Sequence, residues 1–488
     1  MRKLLNLFSI ISPILAIVLV ILFIFGYSLP LIFGVIILGI SLLSQVNFFL
    51  QKKIGFLSVF AYLIYCLPFI HFIEYFFYDF DSPPALTWSM VTSPYNSILG
   101  IVRIALTLST IGALSFNFIP NLKSLKLIRS SSIVSPKIHN TLSLIPWSFF
   151  LIFALYLSYI SAPTDAITEA VYASSSSFSR DVGFDSSWVF SYCIVIFLAM
   201  DILFERKPSL KLTKKLLLVS SIIYMVLWDS LLRGEREGLM LLGSFILFYF
   251  FYWKNFSQFI KPTRLTDAEK KASTIIQYSR FKIVILTFSL LAISFVTALF
   301  RSRISLYSFS EVLDIGAEIL YIEGFANLIK GTWTAVLSTI FSVSGDHYYQ
   351  IHSINYGNDY LNHIYSILPG FVSKWLGLVR PVDEEGIAAQ LLYTGGGYHN
   401  IVITFRSFSV FGIYLITSLW YYLIVSLEKN LARTVNIYTC SLLALLILIM
   451  PKWLWYTDKN LMNALIIYVI IAFLFNIFSM KRKNPNGI

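Results

Sequence analysis

Three glycines at 395–397, then Tyr398, His399 and Asn400, stand directly ahead of an apolar stretch of membrane-spanning length, and Arg406 lies inside that stretch. Glycine lets a backbone approach a ligand closely, and the start of a helix offers N–H groups at the positive end of its dipole. Such a place takes an anion. His399 carries the side chain whose titration range suits general acid–base work. Arg406, seven residues on and near the same helix face, has a planar fork of donors that fits a phosphate or carboxylate bidentately. Gly396, Gly397, Tyr398, Asn400 and Arg406 are therefore candidate ligand-binding residues, and His399 is the candidate base.

The elements that must position them are membrane helices. Across 488 residues the chain is 57% hydrophobic, 17% aromatic and only 13% charged, with a mean hydropathy of +0.75, too apolar for a soluble globule of this length. Runs long enough to cross about 30 Å of hydrocarbon fall near 8–28, 31–50, 54–77, 98–119, 141–160, 187–204, 216–232, 237–253, 281–300, 401–425, 434–450 and 461–479, which makes twelve expected spans. The basic, apolar start resembles a signal peptide, but its apolar run is too long and it lacks a small-residue cleavage site. It reads as a retained first helix. The expected fold is thus an all-α polytopic membrane protein: helices 1–9 over 1–300, an extracytoplasmic loop domain over 301–400 between helices 9 and 10, and helices 10–12 with a tail over 401–488.

The net charge of +12 would suggest nucleic acid in a soluble protein. Here it sorts by side instead, and no nucleic-acid partner is expected. With a cytoplasmic amino terminus, 25 of the 37 cations fall in cytoplasmic connections, and both termini lie inside. A thirteenth span over 325–344 would place the basic tail outside, so that stretch is assigned to the loop domain. The serine-rich segment 161–186 reads as a solvated link or a flexible lid. Cys66, Cys193 and Cys440 fall within helices as packing residues, the histidines have no metal-ligand spacing, and Asp79 with Asp81 reads as an acidic loop end, the alternative being a carboxylate pair for a divalent cation. No metal and no cofactor is expected.

Arginine and lysine are distributed differently. The cytoplasmic cations are 18 lysines and 7 arginines, whereas the other 12 are 8 arginines and 4 lysines. Topology gives no reason for arginine outside, and an anionic ligand does. Arg233 and Arg236 share the turn WDSLLRGEREGLM, Arg301 and Arg303 end span nine, and Arg103 and Arg406 sit inside spans four and ten. Ionisable residues at that depth face the bundle interior or a wet cavity. Each arginine also has a plainer reading: Arg233 against Asp229, Arg236 against Glu235 or Glu237, Arg301 and Arg303 against lipid phosphates. All six are candidate substrate-binding residues.

A many-helix chain with a large outer loop near its carboxyl-terminal third, an RGERE turn, and a Gly-Gly-x-x-x-Asn loop end leading into a helix with Phe411-Gly412 resembles the O-antigen polymerases and the related O-antigen ligases. His399-Asn400 is similar to the His-Asn pair of the ligases. The resemblance implies a glycosyltransferase-C-like fold in the bacterial inner membrane. It implies an enzyme that polymerises undecaprenyl-diphosphate-linked oligosaccharide repeat units into O-antigen on the periplasmic face, by inverting, metal-independent transfer. Membrane lipid, a chain-length regulator and a flippase of the same pathway would be its partners. One departure stands out: where relatives carry an acid, this helix has Thr404, Phe405, Arg406 and Ser407, leaving an acid to come from elsewhere, such as Glu235. The alternatives are a ligase and a lipid-linked oligosaccharide flippase, the latter a transporter whose two halves would be expected to look alike.

Overall fold

The computed structural model describes residues 2–51, 53–77, 95–118, 142–160, 187–205, 208–226, 237–253, 324–351, 353–361, 375, 377, 398–431, 436–455 and 458–480. Every regular element among them is helical. In chain order they are α1 (Arg2–Ile24), α2 (Leu31–Leu50), α3 (Phe56–Cys66, continued by a 3₁₀ segment Leu67–Phe77), α4 (Tyr95–Ser115), α5 (Leu144–Ile160), α6 (Ser187–Phe204), α7 (Pro208–Met225), α8 (Glu237–Phe248, ending in a π turn Tyr249–Trp253), α9 (Gly324–Tyr349), α10 (Asn400–Leu431), α11 (Ile437–Trp455) and α12 (Asp458–Met480).

Seven stretches among the described residues are long and apolar enough to cross a membrane: Leu5–Ile24, Leu31–Leu50, Phe56–Ile73, Ile98–Ser115, Asn400–Lys429, Ile437–Trp455 and Asn460–Ser479. Leu144–Tyr156, Val189–Phe204 and Met240–Trp253 are shorter apolar helices. These follow the hydropathy pattern closely. The expected span at 281–300 lies outside the described residues, and α7 begins eight residues ahead of the expected 216, with Pro208 at a first-turn position where its missing N–H is harmless. Within the stretch assigned to the loop domain, α9 is a single helix of 26 residues.

The chain compacts into two units: Met1–Ile133, Lys330–Arg433 and Ile449–Leu465 form the first, and Val134–Ile329, Thr434–Leu448 and Ile466–Ile488 the second. In the first, Gly34 on α2 meets Leu106 on α4 so closely that a Cβ would overlap it, the small-residue contact that membrane helices use to approach. Lipid offers polar groups no partner, so they bond to one another. Tyr421 on α10 donates to Gln45 Oε1 at 2.8 Å, Gln45 Nε2 donates to Asn117 Oδ1 at 2.8 Å, and Asn117 Nδ2 donates to Ser41 Oγ at 2.9 Å. The Tyr62 hydroxyl also donates to Ser41 Oγ, which itself donates to the Ala113 carbonyl. All five side chains are buried, and the ladder ties α2, α3, α4 and α10 in one register.

A second tie is charged. Glu428, buried near the end of α10, accepts the Leu57 N–H at 2.8 Å, the Ser58 N–H at 3.2 Å and the Ser58 hydroxyl at 2.7 Å. The carboxylate thus caps the start of α3, where the unpaired N–H groups and the positive dipole end lie. Gly55 is required beside it, since a Cβ would run into the carboxylate.

In the second unit, Lys214 on α7 is fully buried between Asp201 Oδ2 (2.6 Å) and Glu205 Oε2 (2.8 Å), and Trp147 Nε1 on α5 donates to the same Asp201 oxygen at 2.8 Å. Burying three charges is costly unless each is held this way. The early start of α7 supplies the lysine. In the same unit, Phe197, Tyr438, Tyr468 and Phe475 pack ring to ring. Cys193 and Cys440 are buried and Cys66 half-buried, all as free thiols.

Replacing Glu428 by alanine leaves three donors without their charged acceptor and is expected to lower stability by about 2–4 kcal/mol, read as a drop in unfolding midpoint in detergent. Glu428→Gln, which keeps one acceptor oxygen, should lose less than Glu428→Ala.

Candidate functional site

Arg406 is placed by a break in its own helix. Phe408 (φ −141°, ψ 20°) and Ser409 (φ 57°, ψ −157°) leave helical geometry in the middle of α10. A non-glycine residue at positive φ stores strain, of order 1–3 kcal/mol, and is retained only where neighbours hold it. The neighbours are identifiable. Gly412 lies against the Thr404 carbonyl oxygen, and a Cβ there would overlap it, so the Phe411-Gly412 pair seen in the sequence serves the close approach at the break. The Arg406 carbonyl accepts the Asn355 N–H at 3.0 Å, from a different segment.

That segment is prepared by the end of α9. Gln350 (φ 55°) takes the left-handed conformation, its N–H bonds the His347 carbonyl, and the Ile351 N–H reaches back to the Asp346 carbonyl, the paired bonds of a Schellman cap. The chain then turns at Tyr356 (φ 49°) and Gly357 (φ 87°), with Asn355 Oδ1 accepting the Gly357 N–H, and forms one helical turn over 358–361. Gly357 lies under the Phe408 ring, where a Cβ would stand 2.8 Å from Cζ, and Tyr360 stacks on the same ring. Asp359 is thereby carried to Arg406, its Oδ2 accepting from Nε at 3.4 Å, with the two side chains 5% and 11% exposed.

His347, in the last turn of α9, is exposed; its ring stacks on Phe23 of α1 (centroids 5.2 Å) and meets Phe405 of α10 edge-on at 5.4 Å. Phe405 immediately precedes Arg406. Burial of one side of the ring lowers the His347 pKa, and the neighbouring Asp346 carboxylate opposes that shift.

His399 has a different setting from the one its residue type suggests. It is fully buried; Nε2 donates to the Tyr65 carbonyl at 3.0 Å, and Nδ1 accepts the Ile401 N–H at 3.3 Å. Its carbonyl receives the Val402 N–H and its ring packs against Tyr65 and Phe69. The imidazole therefore caps α10 and ties it to α3, with both nitrogens engaged by backbone and neither directed to a proton-transfer partner. Burial pulls its pKa down to about 4, the Tyr65 carbonyl working the other way. At this helix start the Ile401 N–H is taken by the ring, and the glycines before it lie outside the described residues.

Of the other expected site residues, Tyr398 and Asn400 are buried beside the cap, the Asn400 carbonyl accepting the Thr404 hydroxyl. Arg103 lies on α4 with an exposed side chain, and its carbonyl accepts the Thr107 hydroxyl. Arg233, Arg236, Arg301, Arg303, Gly396 and Gly397 lie outside the described residues, as do Asp79 and Asp81. The site that the fold assembles from described residues is Arg406 with Asp359, and His347 beside Phe405. Asp359 and His347 were not singled out for chemistry; the glycine turn in NYGNDY and the helix-ending GDHYY were the available signals.

No protein-family model, no curated protein and no solved structure matches the chain.

Because folding keeps His399 neutral, an unfolded chain with an ordinary histidine binds a proton first as the pH falls. The stabilisation is complete above pH 6.5 and is lost as the pH drops toward about 4, by roughly 3 kcal/mol at the low end. His399→Asn keeps an N-cap acceptor without titrating, so its unfolding midpoint should move less over that window than that of the wild type. Gly412→Ala is expected to unseat the break and lower the midpoint by several degrees, whereas Ala at the open Gly39 is expected to change it little.

Proposed function

We propose that this chain is a membrane glycosyltransferase that polymerises undecaprenyl-diphosphate-linked oligosaccharide repeat units into O-antigen on the periplasmic face of a bacterial inner membrane. About twelve spans, both termini in the cytoplasm and an extracytoplasmic segment over 301–400 belong to this reading, and the uneven distribution of lysine and arginine supports them. The observation that carries it is Arg406: a guanidinium largely withdrawn from solvent, at a break in an apolar helix, paired with the Asp359 carboxylate of another segment. Non-helical backbone within such a helix is tolerated where it is covered by protein or lines a cavity, and a fixed guanidinium there suits an anionic headgroup.

In the transfer, the acceptor sugar's hydroxyl oxygen bonds to the anomeric carbon of the donor, and the bond from that carbon to the diphosphate breaks with its electron pair. Charge develops on the departing lipid diphosphate. Arg406 stabilises it. Direct displacement inverts the anomeric configuration.

Transport of the same lipid-linked oligosaccharide is the second reading. It is favoured by the broken helix α10 and by the buried Asp201–Glu205–Lys214 cluster, both features that transporters place within the bilayer. Ligation to the lipid A core is a third reading, which the same experiment separates from polymerisation.

Lipopolysaccharide from a strain lacking the protein decides between polymerisation and the other two: cores bearing one repeat unit indicate polymerisation, and bare cores indicate ligation or transport. Within the polymerase reading, Arg406→Lys keeps charge but loses the fork, and elongation is expected to fall at least about tenfold, some 1.4 kcal/mol. Full chain length in the lysine variant would remove Arg406 from diphosphate binding.

A further inference from the structure

Two histidines occur beside the elements that carry Arg406, and their surroundings assign them opposite roles. His399 has both ring nitrogens taken by backbone groups and no exposed surface. His347 is exposed, and neither of its ring nitrogens has a hydrogen-bond partner among the described residues. Its ring orientation is nevertheless fixed, face-on to Phe23 and edge-on to Phe405, and the Schellman cap at Gln350 ends its helix at that point. Phe405 links it to the next residue, Arg406.

We propose that His347 accepts the proton of the acceptor hydroxyl in the glycosyl transfer described above, a role that rests on that reading of the chain. The hydroxyl's O–H bond breaks as its oxygen bonds to the anomeric carbon. The proton passes to a ring nitrogen of His347, and the electron pair of the breaking carbon–oxygen bond leaves with the diphosphate toward Arg406. The imidazolium then returns its proton to water. On the packed elements, Asp346 adjoins His347 on α9, Arg406 follows Phe405 on α10 and pairs with Asp359, and α4 carries Arg103; the α1 residue in contact is Phe23, which carries no charge. One-sided burial keeps His347 neutral at pH 7, the form a base needs.

The simpler role for an exposed histidine between two phenylalanines is packing, and His347→Phe separates the two because it keeps the rings and loses the nitrogens. The assay uses the full chain in lipid nanodiscs, with lipid-linked repeat units extracted from a strain lacking the protein and undecaprenyl diphosphate as the binding probe. His347→Phe and His347→Gln are both expected to slow elongation by about 10²–10⁴ while the probe's affinity stays within about threefold. The wild type should lose activity as the pH falls below 6.5, and the residual activity of both variants should lack that limb. Imidazole added to His347→Ala should restore part of the rate. Normal elongation by His347→Phe overturns the role of His347 and leaves the transferase reading standing. A wild type that binds the probe yet never elongates the lipid-linked repeat units at any pH overturns both.

Discussion

A membrane helix that stops being helical must hand its backbone groups to something else, and in the first unit that hand-over occurs at Phe408 and Ser409. The Arg406 carbonyl goes to Asn355, the Phe408 ring is covered by Gly357 and Tyr360, and the helix resumes only because Gly412 admits the Thr404 carbonyl. The positive φ values at Gln350, Tyr356 and Gly357 serve this arrangement, since they turn the chain out of α9 and onto the break. Without the break the 353–361 segment would have no carbonyl to bind, and Asp359 would have no fixed approach to Arg406.

Much of the frame was legible in the sequence because apolar length is a strong, local signal. The spans at 31–50, 98–119 and 461–479 lie within a few residues of the helices observed. The start of α7 was read late because PSLKLTKK is too basic to look membrane-bound, and its helix is retained by a pairing with Asp201 and Glu205 that no local pattern announces. Arg406 could be picked out from its improbable setting. Its partner could not, because Asp359 reaches it through a turn 47 residues away and no periodicity connects the two.

His399 shows how one residue type in one setting supports two readings. A histidine before a helix, after three glycines, has the composition of an anion cradle with a base beside it. The same position is also an N-cap, and the side chain has filled that role with its own Nδ1. Which of the two applies depends on whether the ring is covered, and here Tyr65 and Phe69 of distant sequence cover it. Exposure is the property that separates His347 from His399, and hydropathy windows do not report it for single residues.

The Glu428 cap has a consequence for the order in which the protein is made. It joins Leu57 to a residue 371 positions later, and at ribosomal speeds that interval is on the order of 20–75 s. Through that time α3 stands in the nascent chain with an open amino-terminal turn, its N–H groups satisfied only by water or lipid headgroups. The first helices can insert early, but their final packing waits for α10. A chain stopped short of Glu428 would therefore present an uncapped helix start to the quality-control machinery of the membrane, a mark by which an unfinished product differs from a finished one.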